Sequence, residues 1–158
     1  MEAVVFLNGK LVPRSKAYLS PFDHGFLYGY GLFETMRAYH GRLFQLERHI
    51  ARLMNSAQEL GFASKLSAAE LRVACVNTLI ANRLDQAALR LTVSIGEGKA
   101  YPDPSTCRQP TIFVVARRYI PPSAKAVKRG FSAVLSSHRR DSQSLLSQTK
   151  TISYLLSY

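Results

Sequence analysis

The stretch Phe26-Leu27-Tyr28-Gly29-Tyr30-Gly31-Leu32-Phe33-Glu34-Thr35-Met36-Arg37 decides how this 158-residue chain folds. Its second half, continued to Tyr39, alternates as a strand does. Its first half sets glycines among aromatics: from Asp23 to Gly31 there are three of each in nine positions. Gly25, Gly29 and Gly31 lack the spacing and the strand-before-helix context of a dinucleotide fingerprint. They read instead as points where the backbone turns tightly or lies close to another segment.

On either side the pattern is regular. Upstream, Val4-Val5-Phe6-Leu7, Asn8-Gly9 and Lys10-Leu11-Val12 predict a hairpin, because Asn-Gly supplies the two positive-φ residues of a type I′ turn. Downstream, His40-Gly41 turns the strand back into Arg42-Leu43-Phe44. Leu46, Ile50, Leu53, Met54, Ala57 and Leu60 recur at three- and four-residue steps and predict a helix stopped by Gly61. Ser67-Ala68-Ala69-Glu70 is a capping box opening a second helix to about Asn82, with Leu71, Ala74, Cys75 and Leu79 inward. From Ala88 to Ile95 the alternation is strict, with Leu89, Leu91, Val93 and Ile95 on one face and Arg90, Thr92 and Ser94 on the other. A Gly/Pro loop over 96–110 leads to a strand at Thr111–Ala116. Phe131–Leu135 reads as another strand, and 136–149 as serine-rich loop. The expected fold is α+β, an antiparallel-rich sheet with two packed helices. Residues 1–120 form this domain, and 121–158 are a connector, marked by Pro121-Pro122, and the start of a second domain.

Bulk properties exclude several classes. No apolar run reaches membrane-spanning length, and Met1-Glu2-Ala3-Val4 has no basic n-region, so neither a membrane partner nor a secretory signal is expected. Cys75 and Cys107 form no motif, which fits a reducing, cytoplasmic setting. The net charge of +11 is uneven: +3 over residues 1–107 and +8 over 108–158, where Asp141 is the one acidic residue. The basic residues fall in short pairs (Arg117-Arg118, Lys128-Arg129, Arg139-Arg140) without interleaved aromatics, so no nucleic-acid partner is expected.

Near the end, Ser147-Gln148-Thr149-Lys150-Thr151-Ile152-Ser153-Tyr154-Leu155-Leu156 carries a lysine where a polar run gives way to an apolar, helix-like one. A neutral lysine amine attacks carbonyls, although an unselected lysine near a helix start is ordinarily a snorkelling surface residue. Four segments in one order change that weighting: Phe26–Arg37; the helix with Leu46-Glu47-Arg48-His49-Ile50-Ala51-Arg52-Leu53; the strand Leu89-Arg90-Leu91-Thr92-Val93; and Lys150-Thr151-Ile152-Ser153-Tyr154-Leu155. Together they resemble the class IV aminotransferases, the fold-type IV pyridoxal-phosphate enzymes. That family includes branched-chain and D-amino acid aminotransferases and aminodeoxychorismate lyase.

The resemblance implies pyridoxal 5′-phosphate as cofactor, amino acid and 2-oxo acid substrates, a branched-chain donor in preference, and a homodimer. It implies that Lys150 holds the cofactor as a Schiff base and moves the substrate Cα proton. Arg52 would grip the cofactor phosphate, for which a guanidinium is suited by its parallel donors and permanent charge; Arg48 reads as a helix arginine paired to a neighbouring acid. Tyr154 would hydrogen-bond the cofactor's phenolic oxygen, although branched-chain members carry their tyrosine one residue further on. Arg90 matches an arginine near the substrate carboxylate, or is a solvated strand residue. Tyr28 and Phe33 match pocket aromatics, or are plain core. Arg37 and Glu34 match family positions, Arg37 on the substrate side and Glu34 without a role chemistry supplies. Tyr30 departs from the small or acidic residue many relatives place between the two glycines. Family members continue into a second domain holding the acid that pairs with the pyridine nitrogen. On that basis the chain reads as the N-terminal domain plus the lysine of a longer enzyme, or a truncated product. Two alternatives stay open: a lyase of the aminodeoxychorismate type, and a non-catalytic remnant or basic binding module.

Overall fold

A computed structural model describes residues 2–137 and 141–153 of the chain. Six strands form one antiparallel sheet in the order β2-β1-β6-β5-β3-β4. They are β1 (Val4–Leu7), β2 (Lys10–Pro13), β3 (Gly31–Tyr39), β4 (Arg42–Leu43), β5 (Ala87–Ser94) and β6 (Thr111–Arg118). The two predicted two-residue hairpins are present. Asn8 and Gly9 have φ of 46° and 86°, and His40 and Gly41 have 49° and 70°, the signs a type I′ turn demands.

Two helices, α2 (Leu46–Glu59) and α3 (Ala68–Ala81), cover one face of the sheet, α2 against β3 and α3 against β6, β1 and β5. Ser67 Oγ accepts the Glu70 amide to start α3, and Gly61, at φ 77°, donates to the Gln58 carbonyl to end α2. Alternation sorts each strand. Leu32, Met36 and Ala38 of β3, Leu89, Leu91 and Val93 of β5, and Ile112, Val114 and Ala116 of β6 face the helices and are buried with Ile50, Leu53, Leu71 and Leu79. Each large side chain buried there contributes about 1.5–3 kcal/mol. The other face carries Phe33 opposite Thr92, Thr35 opposite Arg90, and Arg37 opposite Ala88.

Three local expectations are corrected. Phe131–Leu135 is not a strand: among the described residues no sheet edge pairs with it, and Phe131, Val134 and Leu135 are 90, 94 and 100 % exposed. β-Propensity without a partner or a core to pack on leaves a segment irregular. The glycine-aromatic loop contains a short helix, α1 (His24–Tyr28), and residues 117–148 carry two more, α4 (Ala124–Arg129) and α5 (Leu145–Gln148). Finally, Lys150 is not helical within the described residues: its segment meets β3 through an isolated bridge at Leu32–Thr151.

Asp23 anchors the loop ahead of β3. It is 5 % exposed, and its carboxylate accepts from the Gly25 amide (2.7 Å), Ser94 Oγ (2.7 Å) and Thr111 Oγ1 (2.6 Å). One side chain thus caps α1 and ties it to the ends of β5 and β6. Asp23→Ala is expected to lower stability by about 2–4 kcal/mol, since it removes a cap and leaves hydroxyls unpaired. An unchanged urea midpoint would show that the loop is held some other way.

Candidate functional site

The lysine is placed by its backbone. β4 pairs only with Ala38 and Tyr39, so the first half of β3 has an open edge. Residues 150–152 take that edge: Phe33 donates its amide to the Lys150 carbonyl (2.9 Å), and Ile152 donates to the Gly31 carbonyl (3.0 Å). The glycines are what let the segment in. A Cβ on Gly31 would lie 2.8 Å from Ile152 Cδ1 and 2.6 Å from the Val93 carbonyl; one on Gly29 would lie 3.2 Å from the Ser153 side chain. The close approach expected of these glycines is therefore to the lysine segment, which the linear pattern could not name.

Lys150 is half-buried, with Nζ 4.5 Å from the centre of the Phe33 ring. The Arg90 guanidinium lies 3.7 Å from the same ring. The two cations are thus at most about 8 Å apart, with a buried aromatic ring as their common surface. Arg90 also donates from Nε to Thr92 Oγ1 (3.3 Å). The structure brings together Lys150, Phe33 and Arg90 of the expected set.

Arg37 is not brought to this group. Four residues along β3 means about 13 Å, and its guanidinium stacks 3.1 Å from the Tyr119 ring centre while Nε donates to the Ala87 carbonyl. Tyr28 ends α1, its ring edge-on to His24 at 4.9 Å. Tyr154 lies outside the described residues. Tyr30 is an anchor: its hydroxyl donates to the Leu60 carbonyl (2.8 Å) at the end of α2, and its ring lies 6.0 Å from Phe62.

Arg52 sits on the outer side of α2 with its side chain 57 % exposed. It lines a cleft of about 460 Å³ with Arg48, Asn55 and Gln148, two residues before the lysine. Its inner edge is bound by Glu34, with Nε 2.6 Å from Oε1 and Nη2 2.6 Å from Oε2. Those hydrogen bonds, ahead of the opposing effect of burial, raise its pKa above the usual arginine value. Arg48, expected to pair with a neighbouring acid, has no ion pair among the described residues; Glu47 beside it is taken by Arg72. His49 was missed as a site residue, and Glu34 was noted only as a family position without a role. One signal was visible in the chain: a carboxylate at an alternate position between Leu32 and Met36 must lie on the buried face.

The described residues thus place Lys150 at the open edge of β3 in an antiparallel α+β domain, and Arg52 in a cleft with Gln148, two residues before the lysine. Comparison with known proteins identifies the family. The model of the amino-transferase class IV family matches residues 31–158, and the chain belongs to that family. A putative branched-chain-amino-acid aminotransferase of Methanocaldococcus jannaschii is 40 % identical over 152 residues, 96 % of this chain and 52 % of that protein. Among solved structures, 4-amino-4-deoxychorismate lyase from Pseudomonas aeruginosa superposes with a TM-score of 0.81 at 28 % identity, covering 96 % of this chain and 53 % of that one. The T.th. branched-chain amino acid aminotransferase complexed with N-(5′-phosphopyridoxyl)-L-glutamate gives 0.67 at 25 %, covering 75 % and 41 %. The chain spans about half the length of the curated relatives it matches.

Proposed function

We propose that this chain provides the lysine and one phosphate-binding arginine of a pyridoxal-phosphate-dependent aminotransferase acting on a branched-chain amino acid and a 2-oxo acid. The observation that carries the reading is the placement of Lys150, its backbone held by β3 and its amine beside Phe33 and Arg90. The residues fit the cofactor. Arg52 keeps the Nη1–Nη2 edge of its guanidinium free of Glu34 and lies in a cleft next to the lysine segment, as a phosphate requires. The likeness to the T.th. aminotransferase, complexed with its phosphopyridoxyl amino acid, supports the same assignment. Pyridoxal phosphate, when bound, supplies an electron sink for negative charge at the substrate Cα.

The chain's own contributions follow from position. Lys150 Nζ would hold the cofactor through its carbonyl carbon and, as a free amine, would accept the proton from substrate Cα. Arg90 offers a permanent cation to the substrate carboxylate, and Phe33, 5 % exposed, keeps water from the base of the site. Tyr154 is assigned to the cofactor's phenolic oxygen. Residues 121–158 are assigned to the connector and the entry of the second domain. A homodimer is supported by the exposed apolar side chains around the glycine loop, Tyr18, Leu19, Phe22 and Phe26. The free thiols of Cys75 and Cys107 are buried, and burial pushes Cys75 up to about 12, which fits a cytoplasmic protein without disulfides.

The lyase reading is kept alive by the likeness to the Pseudomonas aeruginosa enzyme. Incubation with pyridoxal phosphate should produce an absorbance band distinct from that of free cofactor, which leucine then diminishes. Pyruvate release from aminodeoxychorismate in place of amino transfer would select the lyase. Absence of any cofactor-dependent band would overturn both.

A further inference from the structure

Glu34 lies on the apolar face of β3, in alternation with Leu32 and Met36, and is 1 % exposed. A carboxylate there is unfavourable unless its lone pairs are matched. Three donors match them: Arg52 Nε on Oε1, and Arg52 Nη2 and His49 Nδ1 on Oε2, at 2.6, 2.6 and 2.8 Å. An ionised carboxylate only accepts, so His49 carries its proton on Nδ1 and the 3.4 Å approach of Arg52 Nη2 to that nitrogen is a contact between donors.

The arrangement is one-sided. The carboxylate is sealed under α2, while the arginine it holds remains more than half exposed. Apolar side chains could join β3 to α2 equally well. They could not fix the plane of a guanidinium on a long flexible stem. Glu34 takes the Nε–Nη2 edge, which leaves the Nη1–Nη2 edge free of Glu34, and Arg52 lines the cleft shared with Gln148.

We infer that Glu34, braced by His49, is a positioning residue that fixes the Arg52 guanidinium to receive a phosphate on its outer edge. The inference rests on the reading of Arg52 as the phosphate-binding arginine. Its role is to raise the preference for a phosphorylated ligand over its unphosphorylated counterpart, beyond merely holding the helix in place.

The test is the ratio of dissociation constants for pyridoxal and pyridoxal 5′-phosphate, measured by absorbance titration of the full chain. Wild type should favour the phosphorylated form by about 100-fold or more. Glu34→Gln should cut that ratio by about tenfold or more, the loss of roughly one charge-assisted contact, with pyridoxal affinity nearly unchanged. Added to Arg52→Ala, it should change the ratio no further. An unchanged ratio in Glu34→Gln, or equal weakening of both ligands, would overturn the inference and leave the phosphate site standing. A wild-type ratio near one would remove the phosphate site, and this inference with it. If Glu34→Gln does not fold, Glu34→Asp, which keeps the charge one methylene short, decides by the same ratio. Failure of both to fold would make Glu34 a structural anchor and overturn the assignment.

Discussion

Lys150→Ala is expected to abolish covalent capture of pyridoxal phosphate. Wild type, incubated with the cofactor and reduced with borohydride, should keep one adduct, located at Lys150 by mass spectrometry; the variant should keep none there. The expectation rests on placement. The Lys150 carbonyl and the Ile152 amide bind β3, so the side chain leaves the backbone beside Phe33 and Arg90. The chain has other lysines, at positions 10, 16, 65, 99, 125 and 128, and none of them shares that ring. The fold should survive, because the backbone bonds that hold the segment do not involve the side chain. Where the protein catalyses amino transfer, loss of the proton-transfer group alone should lower turnover by about 10²–10⁴-fold. Adducts spread over several lysines in wild type, unaltered by the substitution, would remove Lys150 from the site.

Gly31→Val should be nearly as damaging without touching a reactive group. A Cβ there would meet the Val93 carbonyl at 2.6 Å, Ile152 Cδ1 at 2.8 Å and Ser94 Cα at 3.0 Å. Ile152 can rotate, but two of the three atoms belong to the β5 backbone, which is locked in register with both β3 and β6. Overpacking of this kind costs about 1–3 kcal/mol, or a fall of roughly 2–12 °C in Tm for a chain of this size. The more telling effect is on Lys150. Gly31 is the residue whose carbonyl holds Ile152, so strain here detaches the lysine segment from β3. Capture at Lys150 should fall even in protein that remains folded. A variant with wild-type Tm and full capture would show that the close approach is dispensable.

Much of this fold was legible locally. Asn8-Gly9 and His40-Gly41 specified their turns because only a few residue types accept positive φ at both positions. The α2 stripe and the β5 alternation specified which side of each element faces inward, and the buried set of Leu53, Leu89, Leu91 and Val93 follows it. Phe131–Leu135 shows the limit of such reading. Its composition favours a strand, but a strand exists only where an edge receives it, and edge availability is a property of the whole sheet. The same limit hid the state of residues 150–152, which were read as lying where a helix-like run begins and which instead bridge to β3 because it offers them its free edge.

The site divides along the same line. From the sequence alone came the residue types and their local faces: a lysine in a polar-to-apolar junction, an arginine on the polar side of α2, an arginine on the polar side of β5, glycines that invite close approach. Which of these meet was settled by strand register and helix docking. Register set Arg90 on the face of Phe33 and left Arg37 beside Tyr119. Helix docking set Arg52 and His49 over Glu34, giving a buried carboxylate the partners that its position in β3 required and that nothing near it in the chain could supply. Short-range periodicity is written in neighbouring residues, whereas contact between distant ones depends on the free energy of the assembled sheet and its helices.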